Sequence, residues 1–136
     1  MKELTITATV ENIEIVTEFV NEQLEALDCS MKAQMQIDIA IDELFGNIAH
    51  YAYNPEVGNA TVRVEVTDDP LAVIITFIDN GVPYDPLAKA DPDVTLSAEE
   101  REIGGLGIYM VKKNMDEIAY EYKDGQNILS IKKNLS

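Results

Sequence analysis

The spacing of apolar residues in the first part of the chain changes from the period of a strand to that of a helix. Residues 4–10 alternate apolar side chains with threonines, which predicts a half-buried strand. Two stretches at helical spacing follow, over residues 11–27 and from Ser30 to about Tyr51. Ser30 is a candidate N-cap of the second helix, because serine readily accepts a hydrogen bond from a free helix N–H group.

The second part of the chain returns to the period of strands. Residues 62–67 alternate apolar and polar side chains. Residues 71–78 are almost continuously apolar, which predicts a central strand covered on both faces. Residues 80–103 contain three prolines and mixed charges, which predicts a long loop of the kind that is usually a functional lid or a disordered segment. The remaining predicted elements are a helix at residues 106–115 and strands at residues 118–122 and 128–132, joined by a turn at Asp124-Gly125.

This order of elements, β-α-α-β-β-loop-α-β-β, predicts the fold class. The helices follow one another between strands, and the other strands form hairpins. The simplest architecture is an α+β fold, a two-layer sandwich of a mixed, mostly antiparallel sheet with helices on one face. We predict a single domain over residues 1–136, a typical domain length.

Charge and composition exclude some classes of function. The net charge is −15, with ten basic and twenty-five acidic residues, which argues against nucleic-acid binding. The acidity either keeps the domain soluble or matches a basic partner. No apolar stretch is long enough to span a bilayer. The single cysteine, Cys29, fits a reducing compartment, so we expect a cytoplasmic protein with no membrane association.

The first candidate for chemistry is a carboxylate and an amide one turn apart on the second helix. Glu43 and Asn47 lie on the same helical face, beside the small residues Ala40 and Gly46. A carboxylate can deprotonate a hydroxyl group, and an amide oxygen can hold Mg²⁺. Taken alone, the pair is more often a surface Glu and a tolerated Asn.

Two glycine-containing segments follow later in the chain. In the first, Asp79 and Gly81 end the apolar strand, so that one carboxylate lies at the edge of the sheet; the same residues are also common in turns. In the second, residues 103–108 carry three glycines that open a helix, whose first N–H groups can face an anion such as phosphate. A flexible hinge is the alternative interpretation of this segment.

Together these motifs resemble the GHKL superfamily of ATPases, which includes DNA gyrase, a heat-shock chaperone, histidine kinases and mismatch-repair ATPases. The resemblance covers nearly the whole chain and rests on an Asn-bearing helix, Asp-x-Gly after a strand, a lid, and Gly-x-Gly opening a helix. The short length, residues 79–86, residues 104–108 and residues 115–117 are similar to the anti-sigma factor serine kinases of bacteria.

The resemblance implies roles for particular residues, with ATP and Mg²⁺ as cofactors. Glu43 would be the general base, Asn47 the Mg²⁺ ligand, and Asp79 the residue that holds adenine. The remaining cofactor-binding residues would be Gly81, Arg101, Gly104, Gly105, Leu106 and Gly107. Arg101 is the candidate lid cation, although an ordinary surface arginine fits equally well.

The resemblance also implies partners and leaves alternatives open. Members of this branch phosphorylate a serine of an anti-sigma factor antagonist and hold a sigma factor inactive, often as homodimers. Pro83 replaces the second glycine of the Asp-x-Gly-x-Gly pattern and stiffens that loop. The main alternative is a nucleotide-gated protein-binding module without kinase activity. A histidine kinase catalytic domain is less favoured, since no helix with a phosphoacceptor histidine precedes the first strand.

Overall fold

The structure is a computed structural model that describes residues 1–68, 70–88 and 105–135. Its centre is a five-stranded sheet with the strand order β1-β2-β3-β5-β4, in which every neighbouring pair is antiparallel. The strands are β1 (Lys2–Thr7), β2 (Asn59–Asp68), β3 (Leu71–Asp79), β4 (Glu117–Lys123) and β5 (Gln126–Asn134). The predicted α+β sandwich is confirmed. The parallel pairing that a mixed sheet would include does not occur between these described strands.

Three helices lie on one face of the sheet: α1 (Ile13–Glu25), α2 (Met31–Asn47) and α3 (Gly105–Asn114). Short turns complete the described part: 3₁₀ turns at Val10–Asn12 and Pro86–Ala88 and a π-helical turn at Ile48–Ala52. No helix among the described residues combines the length and the apolar character that crossing a bilayer requires.

The core lies between the helices and the inward face of the sheet. Cross-strand pairs such as Val62 with Phe77 and Ile75 with Ile131 place apolar side chains on that face, and these side chains are almost fully buried. The opposite face of β3 carries Ile74 and Thr76, which are partly buried, between Ala72 and Ile78, which are buried. The prediction that β3 is central is confirmed. The described helices pack on one side of β3, and on its other face Ala72 and Ile78 are nevertheless buried, so the predicted cover on both faces is met at these two positions.

The ends of the helices follow from local sequence. The Ser30 hydroxyl accepts a hydrogen bond from the Ala33 N–H group at 3.1 Å, which confirms the predicted N-cap of α2. Between α1 and α2, Asp28 has a φ of 53°, a left-handed conformation that turns the chain. The π-helical turn widens the end of α2, and the Ala52 carbonyl group accepts a hydrogen bond from the Val82 N–H group at 3.0 Å.

The predicted strands and turns shift by a few residues. β1 is complete at Thr7, before the predicted end, because a 3₁₀ turn begins at Val10. The predicted hairpin between β4 and β5 is confirmed, with φ values of 54° at Asp124 and 78° at Gly125. Two left-handed residues in succession match the right-handed twist of the paired strands. Most of the predicted long loop, from residue 89 to its end at residue 103, lies outside the described residues.

Candidate functional site

A pocket opens between the C-terminal half of α2 and one end of the sheet, on the face that the helices cover. Its walls come from α2 and the π-helical turn, from the end of β3 with the loop that follows, and from β4 and β5. The polar side chains in the walls are Asn47, Asp79 and Asn127, and the aromatic ones are Tyr51, Phe77, Tyr84 and Tyr120. Asn47 and Asp79, which come from separate sequence motifs, therefore line one pocket.

Asp79 is the last residue of β3 and is 94% buried, with 6% of its surface exposed. Its Oδ1 atom accepts hydrogen bonds from the Gly81 N–H group and from the Asn127 side-chain amide, both at 2.9 Å. Among the described residues, no donor engages Oδ2. This oxygen keeps its acceptor capacity for an N–H donor that enters the pocket, such as an exocyclic amine.

Gly81 is required by space and not by a left-handed backbone. Its φ is not in the positive range, unlike that of Gly125. A Cβ atom at this position would overlap the carbonyl group of Ala52, whose carbon would lie 2.6 Å away. Ala52 belongs to the π-helical turn at the end of α2. Because Gly81 has no side chain, the loop after β3 can pack directly against that turn.

Glu43 and Asn47 lie one turn apart near the end of α2, as predicted. Asn47 is half-buried and lines the pocket, whereas Glu43 faces the start of α3. Burial raises the pKa of Glu43 above its usual value, the Asn47 side chain lowers it in part, and Asp42 raises it further. A carboxyl group with a raised pKa is a stronger base than an exposed glutamate, which suits proton transfer near neutral pH.

The N-terminal turn of α3 lies against Glu43. A Cβ atom at Gly107 would overlap the Glu43 carboxylate, and its distance to Oε1 would be 2.6 Å. The sequence motif therefore brings a helix N-terminus, with its free N–H groups, beside the candidate base. Gly105 begins α3, and Leu106 is the next residue of its backbone. The predicted site residues Arg101 and Gly104 lie outside the described residues.

Tyr51 follows α2 in the π-helical turn. Its side chain lines the pocket, and 55% of its surface is exposed. Its ring centroid lies 6.0 Å from that of Tyr84, with an interplanar angle of 34°. The two rings form an aromatic rim at the pocket, because the π-helical turn rotates Tyr51 away from the core face of α2.

Asn127 is the functional candidate that sequence reasoning missed. It is 6% exposed and lies directly opposite Asp79 in the register of β3 and β5. The signal was present in the alternation of β5, where Leu129 and Ile131 face the core and a polar residue two positions earlier must face the same way. A polar side chain at a core-facing position opposite the candidate Asp79 marks a site.

The donor and acceptor groups of the pocket fit Mg²⁺ and ATP. The Asp79 carboxylate keeps one acceptor oxygen, Asn47 offers a side-chain oxygen of the kind that Mg²⁺ prefers, and the first turn of α3 lies nearby. No group of three or more His, Cys, Asp or Glu residues in the described part of the chain could form a metal site. A magnesium ion at Asn47 would therefore take its other ligands from phosphates and water, as Mg²⁺ does in many nucleotide sites.

Comparison with known proteins gives one family and a set of named relatives. A family model described as a histidine kinase-like ATPase domain matches residues 6–133. A protein of Bordetella bronchiseptica named serine/threonine-protein kinase BtrW is 26% identical over 103 residues, which cover 75% of this chain and 71% of that protein. A protein of Bacillus cereus named serine-protein kinase RsbW is 33% identical over 98 residues, which cover 69% of this chain and 60% of that protein. A Bacillus mycoides protein of the same name is 32% identical over an equal span.

Proposed function

This chain belongs to the histidine kinase-like ATPase family, and from that premise we propose that it binds Mg·ATP and transfers the terminal phosphoryl group to a serine of another protein. The observation that carries the proposal is the convergence of three motifs on one place. Asn47 and Asp79 line the same pocket, and Glu43 lies against the helix that begins at Gly105. Relatives named as serine kinases support the choice of acceptor.

Each of these residues has a distinct task in the proposed complex. Asp79 would accept a hydrogen bond from the exocyclic amine of adenine, and the first N–H groups of α3 would face the phosphates. Asn47 would ligate Mg²⁺, which neutralises charge on the phosphate oxygens when it is bound. The proposal includes Arg101 and Gly104 as further contacts to the phosphates, by the family resemblance.

Glu43 would act as the general base. As the serine oxygen bonds to the γ-phosphorus, the bond from that phosphorus to the bridging oxygen breaks, and ADP leaves with the electron pair. Glu43 accepts the proton of the serine hydroxyl in the same process. Its raised pKa increases its strength as a base, and it lies beside the first turn of α3, whose N–H groups would face the phosphates.

The partners belong to the proposal as well. We propose an anti-sigma factor antagonist of the STAS type as the phosphorylated protein, a sigma factor as the bound target, and a homodimer as the working form. The strongly acidic surface supports a protein partner with a basic patch and not a nucleic acid. The single cysteine supports a cytoplasmic location.

Calorimetric titration with ATP, with and without Mg²⁺, tests the binding site. Asn47→Ala should lose the magnesium-dependent part of the affinity and keep the fold, since alanine is a good helix former. Gln34→Ala is a matched control, because it removes an amide from the same helix at a position outside the pocket. No binding to the wild type at millimolar ATP would refute the proposal.

Transfer is tested separately with labelled ATP and a STAS-domain antagonist protein. Glu43→Ala should bind ATP and fail to transfer phosphate, because the base is lost while Asn47 and Asp79 remain. Retained transfer in this variant would exclude the role of Glu43. Binding of ATP by the wild type without any transfer would instead favour the alternative, a nucleotide-gated module that binds proteins.

A further inference from the structure

The side chain of Asn127 connects three parts of the pocket. Its amide nitrogen donates to Asp79 Oδ1 at 2.9 Å and to the Val82 carbonyl oxygen at 2.8 Å. Its amide oxygen accepts from the Tyr84 N–H group at 3.1 Å and from the Tyr120 hydroxyl at 2.5 Å. A primary amide has two N–H donors and an oxygen with two lone pairs, so every hydrogen-bonding position of Asn127 is used.

The chemistry of the partners fixes the orientation of this amide. The Asp79 carboxylate and the Val82 carbonyl group can only accept, and the Tyr84 N–H group can only donate. A flipped amide would place its oxygen against the oxygens of Asp79 and Val82, and its nitrogen against the N–H group of Tyr84. Burial also raises the pKa of Tyr120, so its hydroxyl stays protonated and donates to the amide oxygen.

Two consequences follow, one for Asp79 and one for the loop beside it. The amide and the Gly81 N–H group both engage Oδ1, so the carboxylate is held in one orientation with Oδ2 left to accept. The same amide holds Val82 and Tyr84 on either side of Pro83, whose fixed φ stiffens the segment between the two bonds. The carboxylate and the loop beside it are therefore positioned by one side chain.

We infer that Asn127 is a positioning residue that sets the preference of the pocket for a purine with an exocyclic amine, by fixing the Asp79 carboxylate and the loop at Val82 and Tyr84. This inference rests on the proposed binding of ATP. Asn127 acts through Asp79, which supplies the acceptor for the amine. A single carboxylate that was free to rotate would accept that hydrogen bond with less selectivity, because ordering it would oppose binding.

The test compares ATP with purine riboside 5′-triphosphate, which lacks only the exocyclic amine. A hydrogen bond to a charged acceptor corresponds to about tenfold or more in affinity, so the wild type should prefer ATP by that ratio. In Asn127→Ala the ratio should fall below about threefold, while the dependence on Mg²⁺ stays as in the wild type. Asn134→Ala is the matched control, since Asn134 lies on the same strand with an exposed side chain on the opposite face.

The outcomes separate this inference from the proposed function. If the wild type binds neither nucleotide, the proposed function fails first. If the wild type prefers ATP and Asn127→Ala weakens both nucleotides by the same factor, Asn127 is merely structural and the inference is wrong. Should Asn127→Ala not fold, Asn127→Asp decides, because it keeps the size of the side chain and the oxygen that accepts from Tyr84 and Tyr120 but loses the amide donors to Asp79 and Val82. An unchanged ratio in Asn127→Asp would then overturn the inference.

Discussion

Replacing Gly107 with alanine should separate activity from stability. The new Cβ atom would lie 2.6 Å from Oε1 of Glu43, whereas ordinary van der Waals contact begins at 3.4 Å. Oε2 would lie closer still, so the carboxylate must retreat by more than the 0.8 Å that separates these two distances for Oε1. The group that moves is the end of a flexible side chain, so the fold can accommodate the change without a large shift of the backbone.

The two expected effects have opposite signs. Alanine in place of glycine within a helix stabilises a protein by up to about 1 kcal/mol, so the free energy of unfolding should stay level or rise. A misplacement of about 1 Å at a reacting group can lower the rate about 100-fold, which corresponds to about 2.7 kcal/mol of barrier. We expect a variant that is as stable as the wild type and about 100-fold slower in phosphoryl transfer.

Gly46→Ala is the matched control for this experiment. Gly46 also lies within a helix close to Glu43, but its added Cβ atom would meet only Ile13 Cδ1, at 3.9 Å. Urea denaturation should show a similar or larger gain in stability, and transfer from labelled ATP should be unchanged. Wild-type transfer in Gly107→Ala would refute the role of the Glu43 position. A large loss of stability in Gly107→Ala alone would show that the side chain cannot move aside.

Two further predictions concern the loop after β3 and the titration of the base. Gly81→Ala should destabilise the fold by about 1–3 kcal/mol in urea denaturation. The reason is that its Cβ atom would meet the backbone of Ala52, which cannot move aside as a side chain can. An unchanged unfolding midpoint would contradict this prediction. Transfer should fall on the acid side as Glu43 becomes protonated, at a pH above the usual range for glutamate. Asp42→Asn should move that limb to lower pH, because Asp42 raises the pKa of Glu43; a limb that does not move would exclude Glu43 as the titrating group.

Local sequence was sufficient to predict the helices and strands, but not to identify every residue of the candidate site. Alternation and helical spacing located the strands and helices, because each buried face repeats with a fixed period. Glu43, Asn47 and Asp79 were identified from motifs that lie within one element or one turn. Asn127 was not, because its role depends on the register that places β5 beside β3, a contact between residues far apart in the chain.

The same limit explains why the sequence did not reveal the contacts of Gly81 and Gly107. The sequence placed Gly81 in a pattern common in turns and Gly107 in a segment that opens a helix towards an anion. The structure adds that a Cβ atom would overlap the Ala52 carbonyl group at Gly81 and the Glu43 carboxylate at Gly107. Both contacts join separate segments of the chain, so no local pattern reports them. The exposure of Tyr51 likewise follows from the π-helical turn, which changes the face on which later residues lie.

The charge of the chain makes a last prediction about the binding of ATP without metal. The protein carries a net charge of −15, and the pocket walls contain a carboxylate and no basic side chain among the described residues. Free ATP is therefore repelled at long range, and salt screens this repulsion, since the Debye length falls from about 10 Å at 0.1 M to about 3 Å at 1 M. The affinity for ATP in the presence of a chelator should rise as NaCl increases, whereas a site dominated by cations would lose affinity. A fall in affinity with salt would show that basic residues outside the described part, Arg101 first among them, control binding of the phosphates.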